Sequence, residues 1–204
     1  MNKTLSVCFV CHGNICRSPL AQGVMESIVN QEGLENSILI SSAGVSSWHV
    51  GEPPDSRMQD TASNHGISLN SRGLHFQGHD FNQIDLEFVV HLGDFIDRDF
   101  SSFEDVLPVF NRLRAMSYHV LGNHDFSVAD ELKSKVPKVL GLNKKYYQFR
   151  KHGYRFVVLD GNDVSLHAYP STDPRKKYAA DYHKTLPSGT PLWNGALGKV
   201  QLDW

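Results

Sequence analysis

Cys11 and Arg17 are separated by five residues, His12, Gly13, Asn14, Ile15 and Cys16. A loop of that length, with a glycine and an asparagine to take unusual backbone angles, can turn its N–H groups inward and form an anion-sized ring. Ser18 and Pro19 follow as an expected N-cap and first helical residue, and Leu20, Val24 and Ile28 share one face of the helix beyond them. A helix start adds the positive end of its dipole to such a ring. The ring's partial charges and Arg17 would draw the proton from Cys11 at neutral pH. The Arg17 guanidinium offers a planar fork for two phosphate oxygens. A thiolate facing a clamped phosphate is set up to attack phosphorus and carry it as a phosphocysteine. Without the strand before it and the helix after it, the same pair would read as a packing cysteine and a surface arginine.

The elements that must position this loop alternate regularly. Leu5 to Val10 reads as a strand, 18–31 as a helix ended by Gly33, 37–41 as a strand and 56–64 as a helix closed by His65-Gly66. The pattern continues with a strand over 88–92, a helix over 102–115 and a strand over 118–121. A helix over 128–135 follows, and then a hairpin of 146–150 and 155–159 about Lys151-His152-Gly153. Residues 162–198, rich in Pro, Ser, Lys and Tyr, read as irregular chain. The order predicts an α/β fold: a doubly wound, mostly parallel sheet with helices on both faces, plus a C-terminal β-hairpin and an irregular tail. Loops after the first, third and fourth strands would then open on one edge of that sheet.

The cysteine loop, continued through Ser41-Ser42-Ala43-Gly44, Trp48, Gly51-Glu52-Pro53-Pro54-Asp55 and His65-Gly66, resembles the low-molecular-weight protein tyrosine phosphatases over roughly residues 4–85. The resemblance implies Cys11 as nucleophile and Arg17 as phosphate ligand, with His12, Gly13, Asn14, Ile15 and Cys16 lining the anion site. It implies that Ser18 hydrogen-bonds the thiolate and that Trp48 lines the substrate cleft. Asn14, Ser42 and His65 would hold the loop in shape. Cys16 would trap an oxidised nucleophile as a reversible disulfide, or serve as a small apolar filler. The family's general acid lies in an Asp-Pro-Tyr segment that this sequence lacks; Asp173-Pro174-Arg175 is the nearest string.

The second half is similar to another family. His91-Leu92-Gly93-Asp94-Phe95-Ile96-Asp97-Arg98 and Leu121-Gly122-Asn123-His124-Asp125 resemble the blocks of calcineurin-like metallophosphoesterases. Val157 to Asp160, Asn194-Gly195 and Gln201 to Trp204 extend the likeness to the manganese-dependent ADP-ribose/CDP-alcohol diphosphatase branch. There the counterparts of Asp94 and Asn123 are metal ligands and that of His124 assists the leaving group. The family's Asp-x-His block and its later histidine blocks are not found in these 204 residues. Asp94 and Asn123 are therefore expected to be vestigial metal positions that shape turns at strand ends. Among His124, Asp125 and Asp94, His124 is the expected substitute for the missing general acid, because histidine is the residue type whose unperturbed ionisation falls near neutrality.

Composition divides at the same place. Up to Asp85 there are 4 Lys and Arg against 8 Asp and Glu, and from Leu86 onward 16 against 14, which gives the net charge of −2. The chain thus reads as a chimera of a phosphotyrosine phosphatase-like part, 1–85, and a metallophosphoesterase-like fragment, 86–204, that completes the same sheet. A balance near zero without a Lys/Arg cluster argues against nucleic acid as a partner, and no run is long enough to span a membrane. Cysteines placed for thiolate chemistry suit a reducing cytoplasm. The expected activity is phosphomonoester hydrolysis through a phosphocysteine, impaired by the missing acid, on a phosphorylated protein or small aryl phosphate, with no cofactor. The alternatives are a metal-dependent phosphodiesterase or pyrophosphatase, which alone would need Mn or Fe, and an inert phosphate-binding fusion.

Overall fold

A computed structural model describes residues 4–76, 86–190 and 195–204. The chain forms two compact units, Met1–Asp85 and Leu86–Trp204. The junction over 80–85 and Asn194 lie outside the described residues.

In the first unit, strand β1 (Leu5–Cys11) and strand β2 (Ile38–Gly44) pair in parallel, Leu5 against Ile38 through Cys11 against Gly44. Helix α1 (Arg17–Gln31) makes the crossover between them and packs on both strands. Alternation along β1 turns Val7 and Phe9 toward that helix, while Cys8 and Val10 on the opposite face are exposed. Helix α2 (Ser56–Asn64) starts at Asp55, whose side chain accepts the Arg57 N–H. Ser18 is not the N-cap that the sequence suggests. The helix starts at Arg17 with Cys16 as cap, two residues before the expected one, and the Ser18 hydroxyl is turned into the loop instead.

In the second unit, strands β3 (Phe88–Leu92) and β4 (Met116–Val120) form a second parallel pair, joined by helix α3 (Ser102–Phe110). This helix is shorter than the expected 102–115: Pro108 sits in its last turn and the chain leaves it at Asn111. A 3-10 segment (Asp130–Lys135) and the short helix α4 (Val136–Val139) replace the single helix expected over 128–135. Strands β5 (Tyr147–Lys151) and β6 (Tyr154–Val158) form the expected hairpin. Its turn residues His152 and Gly153 have φ of 48° and 84°, the signs of a type I′ turn that matches strand twist.

The segment read as irregular holds helix α5 (Pro174–His183), and helix α6 (Lys199–Leu202) follows it. Asp173 caps α5 by accepting the Arg175 N–H at 2.9 Å, and Pro174 takes the first helical position. That cap was written in the sequence; the polar, lysine-rich composition masked it. The core of this unit gathers Phe95, Ile96, Phe103, Leu121, Phe126 and Val136 beneath the ends of β3 and β4.

The fold is mixed α/β, with parallel pairs and a C-terminal hairpin. Among the described residues the strands are bonded two by two, β1-β2, β3-β4 and β5-β6, and the single continuous sheet of the sequence reading is not among these pairings.

Candidate active site

The first loop after a parallel strand, between β1 and α1, brings the expected chemistry together. The half-buried Cys11 sulfur accepts the Ser18 hydroxyl at 3.0 Å and the Asn14 N–H at 3.3 Å. Burial pushes its thiol up. The Ser18 hydroxyl and the N–H groups of Ser18, Asn14 and Gly13 outweigh that, so the thiol is held below its ordinary value. The sequence reading credited Arg17 and the loop for this effect; Ser18 is the strongest favourable contributor. Arg17 opens α1 with its side chain exposed.

Asn14 sets the loop's shape. It is 2% exposed and adopts φ of 52°, a left-handed conformation that asparagine tolerates better than most residues. Its Nδ2 donates to Ser18 Oγ at 2.8 Å and to Ser42 Oγ at 2.9 Å, and its Oδ1 accepts the Leu74 N–H at 2.8 Å. Ser42 in turn donates to Gln22 Oε1 at 2.6 Å, and Gln22 Nε2 donates to Glu26 at 2.8 Å. A continuous hydrogen-bonded path thus runs from Glu26 on α1, through β2, to the thiol. Gln22 was not foreseen, because a polar residue on a helix carries no sign of the strand it will face. The Ile15 carbonyl accepts the Asp55 N–H at 2.8 Å, which ties the loop to the start of α2.

Gly44 allows the loop its close approach to β2. A β-carbon there would stand 2.8 Å from the Asn14 nitrogen and from the Gly13 carbonyl carbon. Cys16 is half-buried with a free thiol. His12 and Trp48 form the rim, their rings 5.3 Å apart, and Trp48 is 76% exposed. His65 does not join the supports. It caps the C-terminus of α2, exposed, and its ring makes no hydrogen bond to the loop among the described residues. The arrangement can bind an anion and present it to a thiolate.

The loops after β3 and β4 are built around Asp125, which is 0% exposed. Its Oδ1 accepts the Phe95 and Ile96 N–H groups at 2.6 and 3.1 Å, and its Oδ2 those of Gly122 and Asp94 at 2.9 and 3.1 Å. Burial raises its pKa against these bonds, yet four donors require the ionised, acceptor-only carboxylate. Asp94, at φ of 54°, accepts the His124 N–H at 3.0 Å. The His124 Nδ1 lies 2.6 Å from Asp97 Oδ1.

These residues do not fit a dinuclear metal centre. Asp94 binds a main-chain N–H, both Asp125 oxygens are occupied, and among the described residues no three His, Cys, Asp or Glu side chains converge as ligands would.

Two families match this chain. Residues 68–195, more than half of it, match calcineurin-like phosphoesterase, and residues 6–104 match low molecular weight phosphotyrosine protein phosphatase. The chain therefore belongs to the calcineurin-like phosphoesterase family. Its N-terminal part resembles the low molecular weight phosphotyrosine phosphatases. It is 40% identical over 90 residues to the low molecular weight protein-tyrosine-phosphatase of Streptomyces coelicolor, spanning 44% of this chain and 55% of that protein. With the low molecular weight phosphotyrosine protein phosphatase of Gallus gallus it shares 44% over 80 residues, 39% of this chain and 51% of the other. The chain thus spans about half the length of the curated relatives it matches. The crystal structure of YfkJ from Bacillus subtilis aligns with 56% of this chain and 70% of its own, at 28% identity and a TM-score of 0.43.

Proposed function

We propose that this chain is a cysteine-dependent phosphomonoester hydrolase acting through a phosphocysteine. The observation that carries the reading is the Ser18 hydroxyl on the Cys11 sulfur, backed by loop N–H groups that lower the thiol pKa. Cys11 Sγ attacks phosphorus as the bond to the leaving oxygen breaks. Arg17 and the N–H groups of residues 12–16 hold the phosphate oxygens, and water then releases phosphate and the thiolate. Ser42 and Asn14 keep the loop open, and Trp48 offers an aromatic wall to an aryl phosphate, either a phosphorylated protein or a small molecule. The relatives' names, protein-tyrosine phosphatases, support that substrate class. A cytoplasmic setting suits the free thiols, and no helix among the described residues is long and apolar enough to cross a membrane. Activity is impaired relative to that family, whose acid segment is missing.

The test is hydrolysis of p-nitrophenyl phosphate alongside vanadate binding. Cys11→Ser is expected to abolish turnover and keep vanadate binding, and a mutant retaining most of its rate overturns the thiol mechanism. The match of residues 68–195 to calcineurin-like phosphoesterases favours a second reading, a metal-dependent phosphodiesterase. Chelator would abolish that activity and leave the thiol-dependent one unchanged.

A further inference from the structure

The geometry points to His49 as the proton donor that replaces the missing acid segment. The proposal rests on the phosphocysteine reading and deepens it. His49 belongs to the turn Trp48–Glu52 and follows Trp48, whose ring lies 5.3 Å from that of His12. Its ring lies on the loop: a β-carbon at Gly13 would stand 3.1 Å from His49 Cδ2 and 3.9 Å from Nε2. Gly13 lies in the loop between Cys11 and Asn14, whose N–H bonds the Cys11 sulfur at 3.3 Å, so the imidazole rests on the same loop that supports the nucleophile.

The other ring nitrogen is occupied. His49 Nδ1 is 2.7 Å from Glu52 Oε2, a histidine–carboxylate pair that fixes the ring plane and leaves Nε2 as the edge free to exchange a proton. The side chain is 35% exposed, open enough to meet a leaving group.

The backbone holds this pair in place. The Glu52 N–H bonds the His49 carbonyl at 3.1 Å, and Gly51 turns the chain at φ of 82°. Gly73 clamps the turn from the other side: it accepts the Gly51 N–H at 2.8 Å and donates to the Glu52 carbonyl at 2.9 Å. Its own β-carbon would stand 2.0 Å from the His49 carbonyl oxygen, so only glycine fits there.

Asp55, an ionisable group tied to the loop through its N–H, is unsuited to the task. The Arg57 guanidinium binds both of its oxygens, at 3.1 and 3.0 Å, and holds the carboxyl below its ordinary range. His124, the donor expected from the sequence, stands in the second unit, whereas His49 is built into the unit that carries the thiol.

The step balances simply. Cys11 Sγ forms a bond to phosphorus, the bond from phosphorus to the leaving oxygen breaks, and that oxygen takes the Nε2 proton. The neutral imidazole then takes a proton from the water that attacks the phosphocysteine, which regenerates the thiolate and the donor.

The experiment compares two substrates: p-nitrophenyl phosphate, whose leaving group needs little protonation, and phenyl phosphate, whose leaving group needs it fully. His49→Gln is expected to lower kcat/KM for phenyl phosphate by about 10²- to 10⁴-fold and for p-nitrophenyl phosphate by no more than about threefold. Added imidazole is expected to restore phenyl phosphate turnover in His49→Gly, which separates lost chemistry from lost structure. Equal effects on both substrates, or no rescue, overturn the role of His49. A wild-type chain that hydrolyses p-nitrophenyl phosphate but not phenyl phosphate overturns this role alone. One that hydrolyses neither overturns the phosphatase reading with it.

Discussion

Ser18 combines two tasks in one hydroxyl. It accepts from Asn14 and donates to the Cys11 sulfur, so the loop's shape and the thiol's charge depend on the same atom. Ser18→Ala is expected to raise the pH midpoint of Cys11 alkylation toward the ordinary thiol value of 9.0, because burial then acts against fewer hydrogen bonds. Iodoacetamide labelling against pH measures this, and an unmoved midpoint would assign the lowered pKa to the backbone alone. In the proposed reaction Arg17 acts by geometry as well as charge. Arg17→Lys keeps the cation but loses the two-pronged contact, and weaker phosphate or vanadate binding by about 1.5–3 kcal/mol is expected. Near-normal binding by the lysine variant would place the anion elsewhere.

At the scale of elements, two close approaches between loops do comparable work. In the first unit, Gly44 lets the end of β2 touch the cysteine loop; Gly44→Ala pushes a methyl group into backbone that cannot yield. A loss on the order of 1–3 kcal/mol is expected, together with loss of vanadate binding, read by thermal unfolding and titration. In the second unit, Asp125 gathers four N–H groups from the loops after β3 and β4, and Gly122 passes within reach of the Asp94 backbone. The same strands carry a histidine pair, half-buried His91 opposite buried His119. Burial, with the neighbouring His119 and against the favourable pull of Asp94, lowers His91 to about 4, and burial also lowers His119. The unfolded chain binds protons there more readily than the folded one. Stability is therefore expected to fall as pH drops from about 6.5 toward 4, by roughly 3 kcal/mol for His91. Urea unfolding across that range is the measurement, and His91→Phe should flatten the slope.

At the scale of the whole molecule, matches to two phosphate-handling families meet in one chain, and the proposed function rests on the side chains of the first unit. The second unit keeps its family's loops as architecture: Asp94 and Asp125 bond to main-chain N–H groups, the role of turn-formers and staples. Elemental analysis of protein purified without chelator is expected to find no stoichiometric metal. Close to two Mn or Fe per chain would restore the metal-dependent alternative.

The sequence by itself determined what local chemistry dictates. The C-x5-R loop between strand and helix, the parallel α/β elements and the type I′ hairpin at His152-Gly153 all depend on neighbours a few residues apart. Even the cap at Asp173-Pro174 was legible, though composition obscured it. Only the tertiary structure decided that Leu74 holds Asn14, that Gln22 holds Ser42, that His65 caps α2, and that among the described residues the strands bond two by two. It also decided that His49 lies on Gly13. Each of these follows from contacts between residues distant in sequence, where hydrogen-bond partners and close approaches are set by how elements pack, and no periodicity or spacing records them.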